Sequence, residues 1–288
     1  MGTADVIPGV SGGTMALILG IYQRLLTAIR SFDLFFLKML TTGQWRRAFY
    51  HIDIALLIPL AIGIFAALLF FTRVISLPSL MESDPEAIFG FFFGLIAASI
   101  VVLVHGLRHF DRPDYACLFI GIVSGWLLVN MVPISTPNTV WFIMLSGALA
   151  ICALVLPGIS GSFILLILKK YAYILNAISQ FDFSIIVPFA IGAALGLIGF
   201  TRILTWLLRH FYQRTLVTIV GVLIGSLWMI WPFQERTYEV INDKMRVVAS
   251  DPVWPPELGF TACIAFALMG LGALLVAVIH RIGCRKQT

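Results

Sequence analysis

Charged residues are scarce in this sequence. Asp, Glu, Lys and Arg make up 11% of the 288 residues, whereas 60% are hydrophobic. Soluble domains contain about 25% charged residues. Apolar stretches of about 17 to 20 residues alternate with short polar loops, and a helix of that length crosses a hydrocarbon core about 30 Å thick. The composition therefore excludes a soluble protein and predicts an integral membrane protein.

Cysteines are also scarce. The four cysteines are far apart and three of them lie in apolar runs, so the sequence predicts neither a disulfide framework nor a metal site. We expect no cleavable signal peptide before the first motif. The net charge of +5 comes from arginines that flank apolar runs, which is typical of a membrane protein and not of a nucleic-acid-binding protein.

One stretch of the sequence occurs twice. Residues Ala4–Asp33, ADVIPGVSGGTMALILGIYQRLLTAIRSFD, and Ala153–Asp182, ALVLPGISGSFILLILKKYAYILNAISQFD, are identical at 15 of 30 aligned positions. The repeat continues in PLAIGIFAALLFFTRVIS at Pro59–Ser76 and PFAIGAALGLIGFTRILT at Pro188–Thr205. The pattern indicates that the chain consists of two structurally similar halves.

Hydropathy predicts six membrane spans outside the motif segments. They lie at 52–76, 86–107, 115–132, 184–208, 215–232 and 258–280. Three of them separate the two motifs, and an odd number of crossings turns the second copy upside down relative to the first. Lys and Arg collect at one set of span ends, while the opposite loops are acidic or uncharged, so the C-terminus is predicted to be cytoplasmic.

We therefore predict an all-α integral membrane protein built from two inverted repeats, 1–138 and 139–288. Each repeat holds a re-entrant helical hairpin and three transmembrane helices. The first repeat has a motif segment at 5–30 and a surface helix at 34–51, and the second has a hairpin at 140–178. The first hairpin is expected to be incomplete, because nothing before its motif matches the first arm of the second. Either a preceding segment is missing from this sequence or the repeat has lost it.

The Pro-Gly-x-Ser-Gly motifs interrupt apolar sequence at 8–12 and 157–161. Pro and Gly break helices, and Ser is a good N-cap for the next helix. Non-helical backbone at membrane depth is tolerated only where protein or a water-filled cavity satisfies it. We predict that each motif is the tip of a re-entrant hairpin and that the two tips meet near the middle of the membrane. For a single motif, a kinked helix packed through glycines is the alternative, and the duplication favours the hairpin.

The predicted tips carry groups that suit an anion. Helix N-termini present free N–H groups and a positive dipole end, glycines permit close approach, and hydroxyls add donors. Each repeat also carries an arginine in Phe-Thr-Arg, and a charge inside a span usually faces a cavity or a partner. The predicted phosphate-binding residues are Gly9, Ser11, Gly12, Gly13, Thr14, Arg73, Gly158, Ser160, Gly161, Ser162 and Arg202.

Several charged residues near the motifs have more than one interpretation. Arg73 lies close to an acidic loop and is able to snorkel to headgroups, whereas Arg202 lies nearly two turns inside its span. Asp5 is a candidate proton or sodium site, or a helix cap. Lys169 and Lys170 either mark a wet groove or a headgroup contact, or snorkel from a short arm.

At these residues the sequence resembles the PopT-type polyprenyl-phosphate translocases, a bacterial family first known as a domain of unknown function. ADVIPGVSGGT…GIY and LPGISGSF carry the resemblance, which covers nearly the whole chain. It implies a flippase that moves undecaprenyl phosphate across the plasma membrane, from outer to inner leaflet, so that the lipid carrier of cell-envelope polymers such as peptidoglycan is reused. One departure is Lys169, where the first copy has Gly20. No cofactor is expected, with H⁺ or Na⁺ coupling left open.

Two other functional classes remain open from the residues. A small-anion channel or exchanger would also use glycine-rich helix N-termini. An intramembrane hydrolase would use the Gly-x-Ser-Gly sequence, but its serine needs a base within reach, and the histidines all fall near predicted cytoplasmic helix ends. We therefore predict a transporter, not an enzyme, that works by alternating exposure of a central phosphate site. The sequence carries no signal for the oligomeric state.

Overall fold

The computed structural model describes residues 1–2, 11–71, 83–107, 109–131, 136–241, 244–255 and 259–285. Within these ranges, five helices are long and apolar enough to cross a membrane, or up to seven if each of two bent helix pairs is one span. The prediction of an all-α membrane protein is confirmed. Three of the predicted site residues, Asp5, Gly9 and Arg73, lie outside the described ranges.

The described elements follow one another along the chain in a simple order. They are α1 (Gly12–Ile18), α2 (Tyr22–Arg30), α3 (Leu34–Thr41), α4 (Trp45–His51), α5 (Ile54–Leu69), α6 (Pro85–His105), α7 (Arg112–Val129), α8 (Val140–Val155), α9 (Gly161–Ile167), α10 (Tyr171–Ser179), α11 (Phe183–His210), α12 (Tyr212–Ser226), a 3₁₀ turn (Leu227–Ile230), β1 (Gln234–Ile241), β2 (Lys244–Pro252) and α13 (Phe260–Arg285). Helices α5, α6, α7, α11, α12 and α13 occupy the predicted spans. The β1–β2 hairpin is antiparallel and stands where the sequence predicted only a loop.

Glycines bring the long helices into direct backbone contact. Helix α6 packs along α13, α7 along α12, and α8 along α11. A Cβ on Gly94 of α6 would lie 1.9 Å from the Met269 carbonyl oxygen of α13, and a Cβ on Gly192 of α11 would lie 1.8 Å from that of Met144 in α8. Small residues allow this close approach, on which helix association in lipid depends. The α6–α13 and α7–α12 pairs each join one half of the sequence to the other.

The helix after each motif ends in the same way in both halves. Helices α1 and α9 are seven residues long, α2 and α10 are nine, and each pair is displaced by 149 residues. In the first half the Gly20 N–H bonds to the Leu17 carbonyl and the Ile21 N–H to that of Ala16. These bonds form a Schellman motif, in which Gly20 takes a left-handed conformation with φ +68°.

The second half forms the same motif with a lysine in place of the glycine. The Lys169 and Lys170 N–H groups bond to the Leu166 and Leu165 carbonyls at 2.9 and 2.8 Å, and Lys169 has φ +51°. Helix α10 leaves α9 at 108°, so the part of the predicted hairpin at 140–178 that follows the motif is two helices. The break was not predicted, because the sequence has no glycine at this position.

The predicted surface helix at 34–51 is two short helices, α3 and α4, which a turn at Gly43 separates. Its exposed aromatic residues are Phe35, Trp45, Phe49 and Tyr50. Arg24 of α2 forms an ion pair with Asp53, the residue before α5, with a shortest N–O distance of 2.6 Å. Hydrogen bonding from Arg24 holds the pKa of Asp53 below its usual range. The pair links α2 to the start of α5, while the surface position stays a prediction.

Replacing Gly192 by Ala should destabilise the protein, whereas Gly199→Ala on the same helix should not. The methyl group at 192 meets the backbone of Met144, while nothing lies within 4 Å of a Cβ at 199. Overpacking of this kind costs about 1–3 kcal/mol. Thermal unfolding in detergent micelles measures the difference, and equal melting temperatures for the two variants would contradict the described packing.

Lys169→Gly should stabilise the protein, because glycine adopts the left-handed conformation without the strain of a Cβ. The strain on an L-residue is roughly 1–2 kcal/mol, and the greater freedom of glycine in the unfolded chain offsets about half of it. Lys169→Ala is the control, since it removes the charge and keeps the Cβ. Unfolding in micelles should rank the Gly variant above the Ala variant; the reverse order would contradict the strain at this position.

Candidate functional site

Residues of the two motif segments meet inside the protein, while their predicted role as tips of re-entrant hairpins in the middle of the membrane stays a prediction. The backbone N–H of Gly158 donates to Thr14 Oγ1 at 2.9 Å, and the Thr14 side chain is fully buried. Thr14 belongs to the first half of the sequence and Gly158 to the second, so this hydrogen bond joins the two halves. We call the contacts between residues 11–22 and 154–158 the tip junction.

Ser11 connects the start of one helix to the end of another. Its Oγ accepts from the Gly13 N–H at 3.1 Å and so caps α1. The same Oγ lies 3.3 Å from the Leu154 carbonyl oxygen and 3.4 Å from that of Leu156, and donates to them. The last carbonyls of a helix have no partner within it. Ser11 therefore supplies one for the C-terminal end of α8.

Tyr22, which is not among the residues predicted from the sequence, completes the tip junction. Its hydroxyl donates to the Val155 carbonyl oxygen at 3.1 Å, and the residue is 2% exposed. Three successive carbonyls of the second half thus face hydroxyls of the first. The available signal was the repeat itself, because Tyr22 and Tyr171 are identical in the two copies.

The motif glycines are needed for packing around the tip junction. A Cβ on Gly13 would lie 2.8 Å from the Val155 carbonyl oxygen, and one on Gly161 would lie 2.5 Å from that of Ala150. Gly158 has φ +90°, a conformation that other residues rarely adopt. Protein atoms therefore stand close to these glycines in the present conformation. Gly12 is buried with them at the start of α1.

Ser160 and Ser162 form the accessible part of the second tip. Their hydroxyl oxygens lie 2.7 Å apart, Ser160 is half-buried and Ser162 is exposed. Ser160 holds the N-cap position of α9 without a side-chain capping bond. Among the described residues, no histidine or carboxylate bonds to the hydroxyl of Ser11 or Ser160, so the base that a nucleophilic serine needs is not supplied there.

Arg202 lies at the depth of the tips but outside the tip junction. Helices α8 and α11 run in the same direction, with Gly196 against Ala148. Six residues beyond this contact, or about 9 Å along each helix axis, Arg202 of α11 is level with the last turn of α8. Thr201 and Thr205 point into the protein, whereas Arg202 is exposed. No hydrogen bond or ion pair to its guanidinium occurs within the described ranges.

Comparison with known families gives a match over residues 1–248, to a family described as undecaprenyl phosphate translocase-like. The chain belongs to this family. A Vibrio cholerae serotype O1 protein named polyprenyl-phosphate transporter is 39% identical over 242 residues, 84% of this chain and 78% of that protein. A Staphylococcus aureus protein of the same name is 28% identical over 251 residues, 81% and 83% of the two chains. The comparison with solved structures finds no match.

Family membership confirms the resemblance stated from the motifs and decides between the classes left open. The family and both relatives carry the names of transporters, so the prediction of a transporter and not an enzyme is confirmed. Within the described residues, no group of three or more His, Cys, Asp or Glu side chains is placed to hold a metal ion. Which residues contact the substrate stays a prediction.

Lys170 fits neither interpretation that the sequence left open. The side chain is 2% exposed, its ammonium donates to the Thr136 carbonyl oxygen at 3.0 Å and to the Asn138 side-chain oxygen, and it lies over the rings of Phe142 and Tyr173. It therefore ties the break between α9 and α10 to the segment before α8. Ile21 occupies the equivalent position of the first half, and its side chain contains no hydrogen-bond donor.

Thr14→Val should weaken the tip junction, because the buried N–H of Gly158 would lose its acceptor. An unsatisfied buried donor costs about 1–3 kcal/mol, whereas Thr14→Ser keeps the acceptor oxygen. Thr27→Val is the matched control, since the Thr27 hydroxyl is exposed and bonds only within its own helix. Unfolding in micelles should show a loss for Thr14→Val alone. Equal losses of stability for Thr14→Val and Thr14→Ser would show that the shape of the side chain, and not the hydrogen bond, causes the effect.

Proposed function

We propose that this chain transports undecaprenyl phosphate across the bacterial plasma membrane and returns it from the outer to the inner leaflet. The observation that carries the proposal is the tip junction, in a chain whose relatives are named polyprenyl-phosphate transporters. A site that serves both leaflets must be reachable from both sides of the membrane. The meeting point of two oppositely inserted tips satisfies that requirement.

The groups beside the tip junction suit a phosphate monoester. Ser160 and Ser162 offer two adjacent hydroxyl donors, of which the second is exposed. Arg202 offers a guanidinium at the same depth, and an arginine is able to grip phosphate oxygens with two parallel N–H donors. An exposed charge at membrane depth is unfavourable unless it has a partner. The phosphate is therefore a stabilising partner for Arg202, while the polyprenyl tail stays in the bilayer.

The proposed transport cycle exchanges the bonds of the tip junction for bonds to phosphate. Ser11 and Thr14 now bond to backbone groups of the second half. When the tips separate, the Ser11 and Thr14 hydroxyls become available to the headgroup from the opposite side, beside Gly12 and Gly13. Gly9, Gly158, Gly161 and Arg73 complete the proposed set of phosphate contacts. Asp5 remains the proposed site for coupling to H⁺ or Na⁺.

Native mass spectrometry of the purified protein tests the headgroup site. Undecaprenyl phosphate should bind in preference to undecaprenol and to a two-tailed anionic lipid. Arg202→Ala and the double variant Ser160→Ala/Ser162→Ala should each lower its affinity about tenfold, since a hydrogen bond to a charged group contributes about 1.5–3 kcal/mol. Arg209→Ala, which removes an exposed arginine two turns along the same helix, is the control and should leave binding unchanged.

Either of two results would overturn the site. Equal binding of all three lipids would mean that they form only an annulus around the protein. Unchanged binding to the Arg202 and serine variants would place the phosphate elsewhere. In proteoliposomes, undecaprenyl phosphate added to the outer leaflet should become protected from an external phosphatase only when the protein is present. Rapid chloride flux without such protection would favour a small-anion exchanger.

A further inference from the structure

An apolar groove follows the outer face of the α8–α11 pair. It is lined by Trp141, Met144, Leu145 and Ala148 of α8 and by Gly192 and Leu195 of α11. Gly192 sits against the backbone of Met144, so the two helices touch along the floor of the groove. None of these lining side chains is charged, which suits a hydrocarbon chain.

Beyond the groove, Gly199 and Arg202 follow on the same face of α11. Positions 192, 195, 199 and 202 are spaced by three and four residues and therefore lie on one face of the helix. Nothing lies within 4 Å of a Cβ at Gly199, so the helix surface is open at the residue between Leu195 and Arg202. Long side chains on a helix lean towards its N-terminus, and this directs Arg202 back towards the turn of Gly199. The apolar groove and the open surface at Gly199 thus lead towards Arg202, an exposed cation.

We propose that the polyprenyl chain of a lipid monophosphate lies in this groove while Arg202 binds its phosphate beside Gly199. The proposal rests on the proposed function and adds where the tail is held. The groove lies between two helices, and Arg202 is the first charged residue that follows it on α11, which matches a ligand with one apolar chain and one anionic group. A two-tailed lipid would leave its second chain outside the groove.

The direction of α11 also gives the bound lipid an orientation. In the predicted topology this helix runs from the outer to the cytoplasmic side, and Arg202 lies eight residues, or about 12 Å, before its end at His210. The phosphate would therefore face the cytoplasm and the tail would point outwards. This is the orientation of a lipid in the inner leaflet, so the groove holds the lipid on the product side of inward transport.

Filling the space at Gly199 tests the path. Gly199→Leu should lower the affinity for undecaprenyl phosphate at least tenfold in native mass spectrometry. Gly270→Leu is a matched control, because Gly270 is also an exposed helical glycine with nothing within 4 Å of a Cβ, and it should bind as the unchanged protein does. A Cβ at either position has open space around it, and the melting temperatures of both variants in micelles check that they fold. Unchanged affinity in the Gly199 variant would overturn the proposal.

Photocrosslinking tests the tail directly. A benzophenone amino acid at Leu195 should crosslink undecaprenyl phosphate, and excess unlabelled undecaprenyl phosphate should compete. The same group at Leu274 is the control, because the two leucines are 61% and 62% exposed and only Leu195 lines the groove. Equal crosslinking at both positions without competition would identify annular lipid and overturn the groove. If the unchanged protein fails to prefer undecaprenyl phosphate over undecaprenol, the proposed function fails and the groove proposal falls with it.

Discussion

The bond from the Gly158 N–H to Thr14 Oγ1 is the contact on which the arrangement of the site depends. It is buried, it joins the two copies of one motif, and it lies beside the end of α8, where Ser11 and Tyr22 reach the last carbonyls. Hydrogen bonds between partners shielded from water hold two backbones in register. The same few hydroxyls that fix this conformation are the groups that a phosphate would compete for.

The two halves of the chain are similar in backbone but differ in how firmly each is held. Both breaks after the motif helices form a Schellman motif. In the first half, nothing lies within 4 Å of a Cβ at Gly20. In the second, Lys169 holds a strained conformation, and Lys170 binds the segment before α8. The two halves therefore differ in the contacts that hold the break after the motif helix.

The all-α membrane class was predictable from the sequence, because long apolar runs, helix breakers and an internal repeat are local signals. The separation of α9 from α10 was not predictable, since Lys169 adopts a left-handed conformation that is typical of glycine. Tyr22 was missed because its partner is a backbone carbonyl 133 residues away. Such partners depend on the packing of whole helices, and no spacing in the sequence encodes them.

The proposed transport requires a headgroup site that is reachable from either side of the membrane. A single cysteine at Ser162 measures this, in protein whose native cysteines at 117, 152, 263 and 284 are replaced. A membrane-impermeant maleimide is applied to intact cells and to inside-out vesicles, with and without added undecaprenyl phosphate. Labelling from both sides, with protection by the lipid, is the predicted result. Labelling from one side only, or labelling that the lipid leaves unchanged, would contradict alternating exposure of one central site.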